Sequence, residues 1–152
     1  MRERGFTMTE LMITLAIIFT LSAVSAPFLS RWVTNTRFTS TTNALTSTLQ
    51  LARIKAITQN ASVRLLFDIP ERTYQLQQRV TMNPDRWQDL DKVKKLPADV
   101  QIVSITSNPI VFQSGRGSTP VGGNSTIRVE TPQGRRADVV VAQTGRVRVE
   151  RF

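Results

Sequence analysis

Residues 11–30 carry no charged side chain. A run of about 20 such residues is the length of an α-helix that crosses the hydrocarbon core of a bilayer. Arg2 and Arg4 precede it. That places the N-terminal end on the cytoplasmic side of an inner membrane and the rest of the chain in the periplasm or beyond. A secretory signal peptide has the same broad pattern, with Arg2 and Arg4 as its basic region, residues 11–21 as its apolar core and Ala23-Val24-Ser25-Ala26 as its cleavage region. Two residues argue against removal there. Pro27 would follow the best cleavage site directly, where it hinders a peptidase. Glu10 sets a carboxylate at the edge of a membrane helix, which is costly unless paired or neutralised and so marks a function.

The remaining residues, about 120, suffice for one compact domain with its own core. Helical periodicity continues past Pro27 to about Asn60. Leu45, Leu49, Ala52 and Ala56 recur at the spacing of one helix face, Ile54 and Ile57 are expected to widen it, and Thr, Ser, Asn and Gln fill the other side. The period then changes to two. Val63, Leu65 and Phe67 alternate as a half-buried strand does, and Tyr74 and Leu76 resume the pattern after Ile69-Pro70-Glu71. A polar connection containing Trp87 is expected over residues 82–97. Strands are expected over 100–105, 110–112, 127–130, 137–142 and through Val147 and Val149, with a Gly-rich loop over 115–125. The fold class is α+β: a long N-terminal helix, transmembrane and then amphipathic, packed on antiparallel β-sheet.

Chemistry is bounded by two absences. With no Cys and no His, thiolate nucleophiles, disulfides, the usual general base and the commonest metal ligand are all missing. Asp85, Asp89 and Asp91 sit among Arg86, Lys92, Lys94 and Lys95, the composition of a solvated mixed-charge loop. Gly115-Arg116-Gly117 lacks the Gly-Lys-Ser/Thr ending and following helix of a phosphate loop. Neither an enzyme, nor a cofactor, nor a metal is expected. The net charge of +9 rests on 16 Arg and 4 Lys. Phosphate recognition by guanidinium groups and codon usage in a GC-rich genome both account for that bias.

Arg4-Gly5-Phe6-Thr7-Met8-Thr9-Glu10-Leu11, followed by an apolar helix, resembles the type IV prepilin motif. The resemblance implies that a prepilin peptidase cuts between Gly5 and Phe6, that Phe6 is then N-methylated, and that Glu10 pairs with the terminal amine of a neighbouring pilin. Pairing two charges in an apolar setting offsets much of the penalty of burying either. Pro27 takes the place of a helix-kinking proline. Residues 51–60 are similar to the helix end of GspH/FimT-like minor pilins and pseudopilins, with Lys55 where members more often have Glu. Trp87, Leu96-Pro97, Phe112 before a Gly-rich loop and Thr144-Gly145-Arg146-Val147 resemble further landmarks of that family. The implied organisation is a leader at 1–5, a transmembrane and assembly helix at 6–30, an amphipathic half at 31–60 and a β-rich pilin domain at 61–152.

Residues 114–152 hold seven Arg against Glu130, Asp138 and Glu150. Strand positions two apart share a face, so Arg146 and Arg148 are expected to project together while Val147 points inward. Arg135 and Arg136, at the neighbouring turn, are expected to extend the patch. Such a hairpin suits the phosphates of double-stranded DNA, bound without sequence preference and sensitively to salt. No aromatic residue flanks it, so base stacking is not expected. Gly145-Arg146-Val147-Arg148 also resembles the Gly-Arg-x-Arg ending of DNA-binding FimT-type minor pilins of natural transformation, which implies DNA contacts at Arg146 and Arg148. Two alternatives stand beside this. Gly145-Arg146 alone forms the turn in pseudopilins that bind no DNA, and Glu150 shares a strand face with Arg148 and is placed to pair with it. The expectation is a DNA-binding minor pilin. The alternative is a GspH-type minor pseudopilin of a type II secretion system, with a structural role in priming or capping a filament.

Overall fold

The computed structural model describes residues 6–119 and 123–152, apart from the side chains of residues 26 and 27. Arg2, Arg4 and Gly5 lie outside the described residues, as does part of the loop expected over 115–125. The first element is helix α1 (Met8–Thr58). Its N-terminus is closed by Thr7 and Glu10. The Thr7 hydroxyl oxygen accepts the Glu10 N–H at 3.3 Å, and Glu10 Oε2 accepts the Thr7 N–H at 3.1 Å. This is the reciprocal pairing of a capping box, in which two of the free N–H groups of a helix start are satisfied. Its C-terminus is closed by Asn60, with φ at 47°, a left-handed conformation that Asn tolerates better than most residues. The Gly115 N–H donates to the Ala56 carbonyl at 3.0 Å, supplying a partner that the helix end lacks.

The chain divides into two compact units, one ending at Thr36 and the other spanning Arg37–Phe152. In the first, Leu11, Met12, Ile13, Ile17, Ile18 and Phe19 are all exposed. A helix apolar on its whole circumference and covered by nothing has the length and composition to cross a membrane.

The described residues of the second unit form nine strands. The first sheet contains β1 (Val63–Asp68), β2 (Thr73–Met82), β3 (Asp85–Asp89), β4 (Lys94–Lys95) and β6 (Ile110–Phe112); the second contains β5 (Gln101–Ile105), β7 (Ser125–Glu130), β8 (Arg136–Val141) and β9 (Val147–Arg151). The first runs in the order β3-β2-β1-β6, with β4 also on β2, and the second in the order β5-β7-β8-β9. Every pairing is antiparallel. Alternation decides which side chains go inside: Val63, Leu65 and Phe67 from β1, Ile127 and Val129 from β7, and Ala137, Val139 and Val141 from β8 enter one core with Phe38, Leu45, Leu49, Ala52 and Ala56 of α1. The expected helix stripe is therefore the core face.

Two sequence expectations fail here. Ile54 and Ile57 do not widen the stripe; they are 56% and 43% exposed. The core instead takes Thr41, Thr42 and Thr48. The hydroxyls of Thr42 and Thr48 donate to the carbonyls of Phe38 and Ala44, at 2.9 and 2.8 Å, and so enter without an unpaired polar atom. Residues 82–97 are not a plain connection either. They supply β3 and β4, both on the outer edge of β2. What holds β3 is polar: Trp87 lies under the guanidinium groups of Arg64 and Arg79, at 4.1 and 4.7 Å, and Asp85 pairs with Arg79 at 2.9 Å. Hydrophobic alternation is blind to a strand stabilised in that way.

Candidate nucleic-acid interface and assembly terminus

At the N-terminus Phe6 is 80% exposed and outside the helix. Glu10, one turn in, is held by Thr7 through both the N–H and the hydroxyl, the latter donating to Oε2 at 3.0 Å. The glutamate thus has a local partner within its own subunit, which the sequence motif did not announce as such.

The arginines of the second sheet separate into two groups. β8 and β9 are joined by a tight turn: the Ala142 N–H donates to the Arg146 carbonyl and the Gly145 N–H to the Ala142 carbonyl, each at 2.8 Å. The turn between β7 and β8 lies at the other end of β8, closed by the Thr131 N–H on the Arg135 carbonyl at 3.0 Å. The five steps from Arg136 to Val141 amount to about 17 Å of strand. Arg135 and Arg136 therefore do not extend the Arg146 patch, because consecutive turns of an antiparallel meander fall at opposite ends of the sheet. Arg136 pairs with Glu130 at 3.2 Å, and the Arg135 guanidinium lies 5.4 Å from the centre of the Phe38 ring.

Arg148 is compensated as well, by Glu150 at 3.0 Å. The register explains it. Asp138 faces Glu150, Val140 faces Arg148 and Arg128 faces Asp138, so the outer face of the sheet is a set of charge pairs. The best of them is Arg128 with Asp138, bidentate at 2.9 and 2.7 Å. The hydrogen bonds from Arg128 hold the Asp138 carboxyl below its ordinary range.

Arg146 differs. It is exposed and forms no ion pair among the described residues. It lines a groove of about 280 Å³ with Gln50, Arg53 and Ile54 of α1 and with Gly145 and Val147. A water occupies about 30 Å³, so a phosphate group and several waters fit. No carboxylate is among those six residues. Gly145, which lines the groove, touches Gly117. Gly145 has φ at +79°, and a Cβ there would fall on the Gly117 carbonyl oxygen and lie 2.9 Å from Arg53 Nε. Gly117, with φ at +61°, would meet Ile57 and Arg53 side-chain atoms at 2.8–2.9 Å if it carried a Cβ. Only glycine combines these φ values with so close an approach.

A long N-terminal helix whose second half packs against two antiparallel sheets defines a pilin-like subunit. The family model described as Type II transport protein GspH matches residues 41–145, and that for the Prokaryotic N-terminal methylation motif matches residues 1–26. The chain belongs to the GspH family and is a pilin-like minor pilin or pseudopilin. Among solved structures, the minor pseudopilin EpsH from the Type 2 Secretion System of Vibrio cholerae superposes with a TM-score of 0.60 at 14% identity, over 76% of this chain and 97% of that one. The type IV minor pilin FimU of Pseudomonas aeruginosa gives a TM-score of 0.60 at 16% identity, over 76% of this chain and 90% of that one. No curated protein matches the sequence. The methylation motif carries with it peptidase processing and membrane anchoring, and the family carries assembly with other pilins.

Proposed function

We propose that this chain is a minor pilin of a type IV pilus that binds double-stranded DNA without sequence preference during natural transformation, with Arg146 as its central contact. The observation that carries the reading is the groove: Arg146 and Arg53 line it, and among the described residues no carboxylate does. Arg148 joins when a phosphate displaces Glu150, an exposed partner that holds it weakly. The leader is cut between Gly5 and Phe6, Phe6 is methylated, and the globular unit stands on the periplasmic side before the subunit enters the filament. Glu10 there exchanges Thr7 for the terminal amine of a neighbour.

The test is titration of the full-length protein, in detergent, with a labelled DNA duplex across a salt series. Log affinity should fall linearly with log salt, by about 0.9 for each phosphate neutralised. Arg146→Gln with Arg148→Gln should abolish measurable binding at moderate salt. No binding by the unaltered protein at low salt refutes the reading. A second reading, a pseudopilin with a structural priming or tip role in type II secretion, is favoured by the charge pairs of the second sheet, which leave its outer face compensated. It expects the double variant to assemble and secrete normally.

A further inference from the structure

The Gly117–Gly145 contact brings together three segments that lie far apart in sequence. Gly115 is bonded to Ala56 near the end of α1, Gly117 lies against Arg53 and Ile57, and Gly145 lies against Gly117. Arg116 is held between the two anchored glycines and is exposed. The Thr119 N–H donates to the Gln143 carbonyl at 3.0 Å and ties the loop to the β8–β9 turn a second time. Arg53, Arg116 and Arg146 are thus carried by a helix, a loop and a hairpin that meet at one end of the second unit. None forms an ion pair among the described residues. Arg53 adds an anomaly: its Nε is buried and has no hydrogen-bond partner among the described residues. A desolvated guanidinium N–H without an acceptor is costly, and native structures usually resolve such a cost with a ligand or an ordered water.

We infer that Arg53 and Arg116 are further phosphate contacts, and that with Arg146 they form one three-pronged site for a nucleic-acid backbone at the helix end. This rests on the DNA-binding reading and changes its geometry. The backbone runs across the junction of α1, the 115–117 loop and the β8–β9 turn, and touches the outer face of the second sheet only at Arg148. Phosphate oxygens reach Arg53 at the terminal nitrogens of its guanidinium, its Nε being buried against Gly145. The contacts are to phosphate alone, so the site is indifferent to base sequence.

The test uses the full-length protein in detergent with a duplex of random sequence. The variants are Arg53→Gln, Arg116→Gln, the two combined, Arg53→Lys, and Arg86→Gln on β3 as a control for net charge alone. Each of Arg53 and Arg116 removed should reduce the salt slope by about 0.9, so the fall in affinity between 50 and 200 mM salt shrinks about 3.5-fold per side chain. Arg53→Lys should keep the slope and lose part of the affinity, which separates charge from packing against Gly117. Arg86→Gln should leave the slope unchanged. Thermal melts identify any variant that merely unfolds, and Arg116, exposed, should unfold in none. If Arg146→Gln loses binding while Arg53→Gln and Arg116→Gln both keep the full slope, this inference falls and the DNA reading stands. If Arg86→Gln lowers the slope as much as they do, the effect is net charge and the inference also falls. If the unaltered protein binds no duplex at low salt, both fall together. Unchanged DNA binding with failed incorporation into filaments would make the junction a contact for a neighbouring subunit, against the inference.

Discussion

Gly145→Ala should destabilise the globular unit far more than Gly134→Ala, although both glycines occupy left-handed turns. Gly134 has φ at +83°, and a Cβ there would meet nothing within 4 Å. Its replacement costs the left-handed conformation alone, about 1 kcal/mol. Gly145, at +79°, carries the same conformational cost. Its new methyl would also overlap the Gly117 carbonyl, which is backbone and cannot rotate away. Gly117 cannot retreat freely either, because its own Cα faces Arg53 and Ile57. Overpacking of that kind adds about 1–3 kcal/mol. The expected losses are therefore about 1 kcal/mol for Gly134→Ala and about 2–4 kcal/mol for Gly145→Ala. Urea unfolding of a chain beginning at Arg37, where the compact unit starts, measures both, with far-UV circular dichroism as the readout. The two variants should share the wild-type m-value and differ in midpoint. Losses equal within about 0.5 kcal/mol, a difference additivity error alone produces, would refute the glycine contact beside the groove.

Three further outcomes follow from the same structure. Glu150→Gln should strengthen DNA binding at low salt by up to about fivefold, since the exposed pair it breaks is worth about 1 kcal/mol or less; weaker binding would mean that Arg148 is positioned by Glu150. Asp138 has a folded-state pKa lowered chiefly by hydrogen bonds from Arg128, so its stabilisation is full above the unfolded-state carboxylate pKa and lost as pH falls through the folded value. Arg128→Gln should accordingly flatten the acid side of the stability–pH curve of the Arg37–Phe152 unit, and an unchanged curve would refute the assignment. Mass spectrometry of the processed protein should find Phe6 at the terminus with one added methyl, and Glu10→Gln should leave that processing intact while reducing incorporation into filaments; a terminus at Ala26 or Pro27 would instead mean signal-peptide removal.

How much of this was legible beforehand depended on which force shaped each part. Leu45, Leu49, Ala52 and Ala56 announced the core face of α1 because burial imposes its period on sequence. Strands β1, β2, β7 and β8 were visible for the same reason. Strand β3 was not, because Arg64, Arg79 and Asp85 hold it at Trp87 through charge and ring stacking, which have no period. In the candidate site, Arg146 was found from its motif. Arg135 and Arg136 were misplaced because nearness in sequence was taken for nearness in space, which a meander reverses at every turn. Arg53 and Arg116, the further contacts inferred above, had no motif to single them out. Their only trace was glycine at 115, 117 and 145, residues that read as loose turns one at a time and as a packed junction only when two loops are known to touch.

The capping box at the start of α1 bears on how such a subunit waits. Thr7 already supplies the Glu10 carboxylate with an N–H and a hydroxyl, so the acidic group enters the bilayer edge provisioned. In the assembly proposed above, a neighbour's amine does not rescue a bare charge; it displaces the Thr7 N–H and hydroxyl. On that proposal, subunit docking at this residue is an exchange of partners with a threshold. An ill-fitting arrival that fails to exceed it leaves the glutamate where it was, and the growing end is free to try the next one.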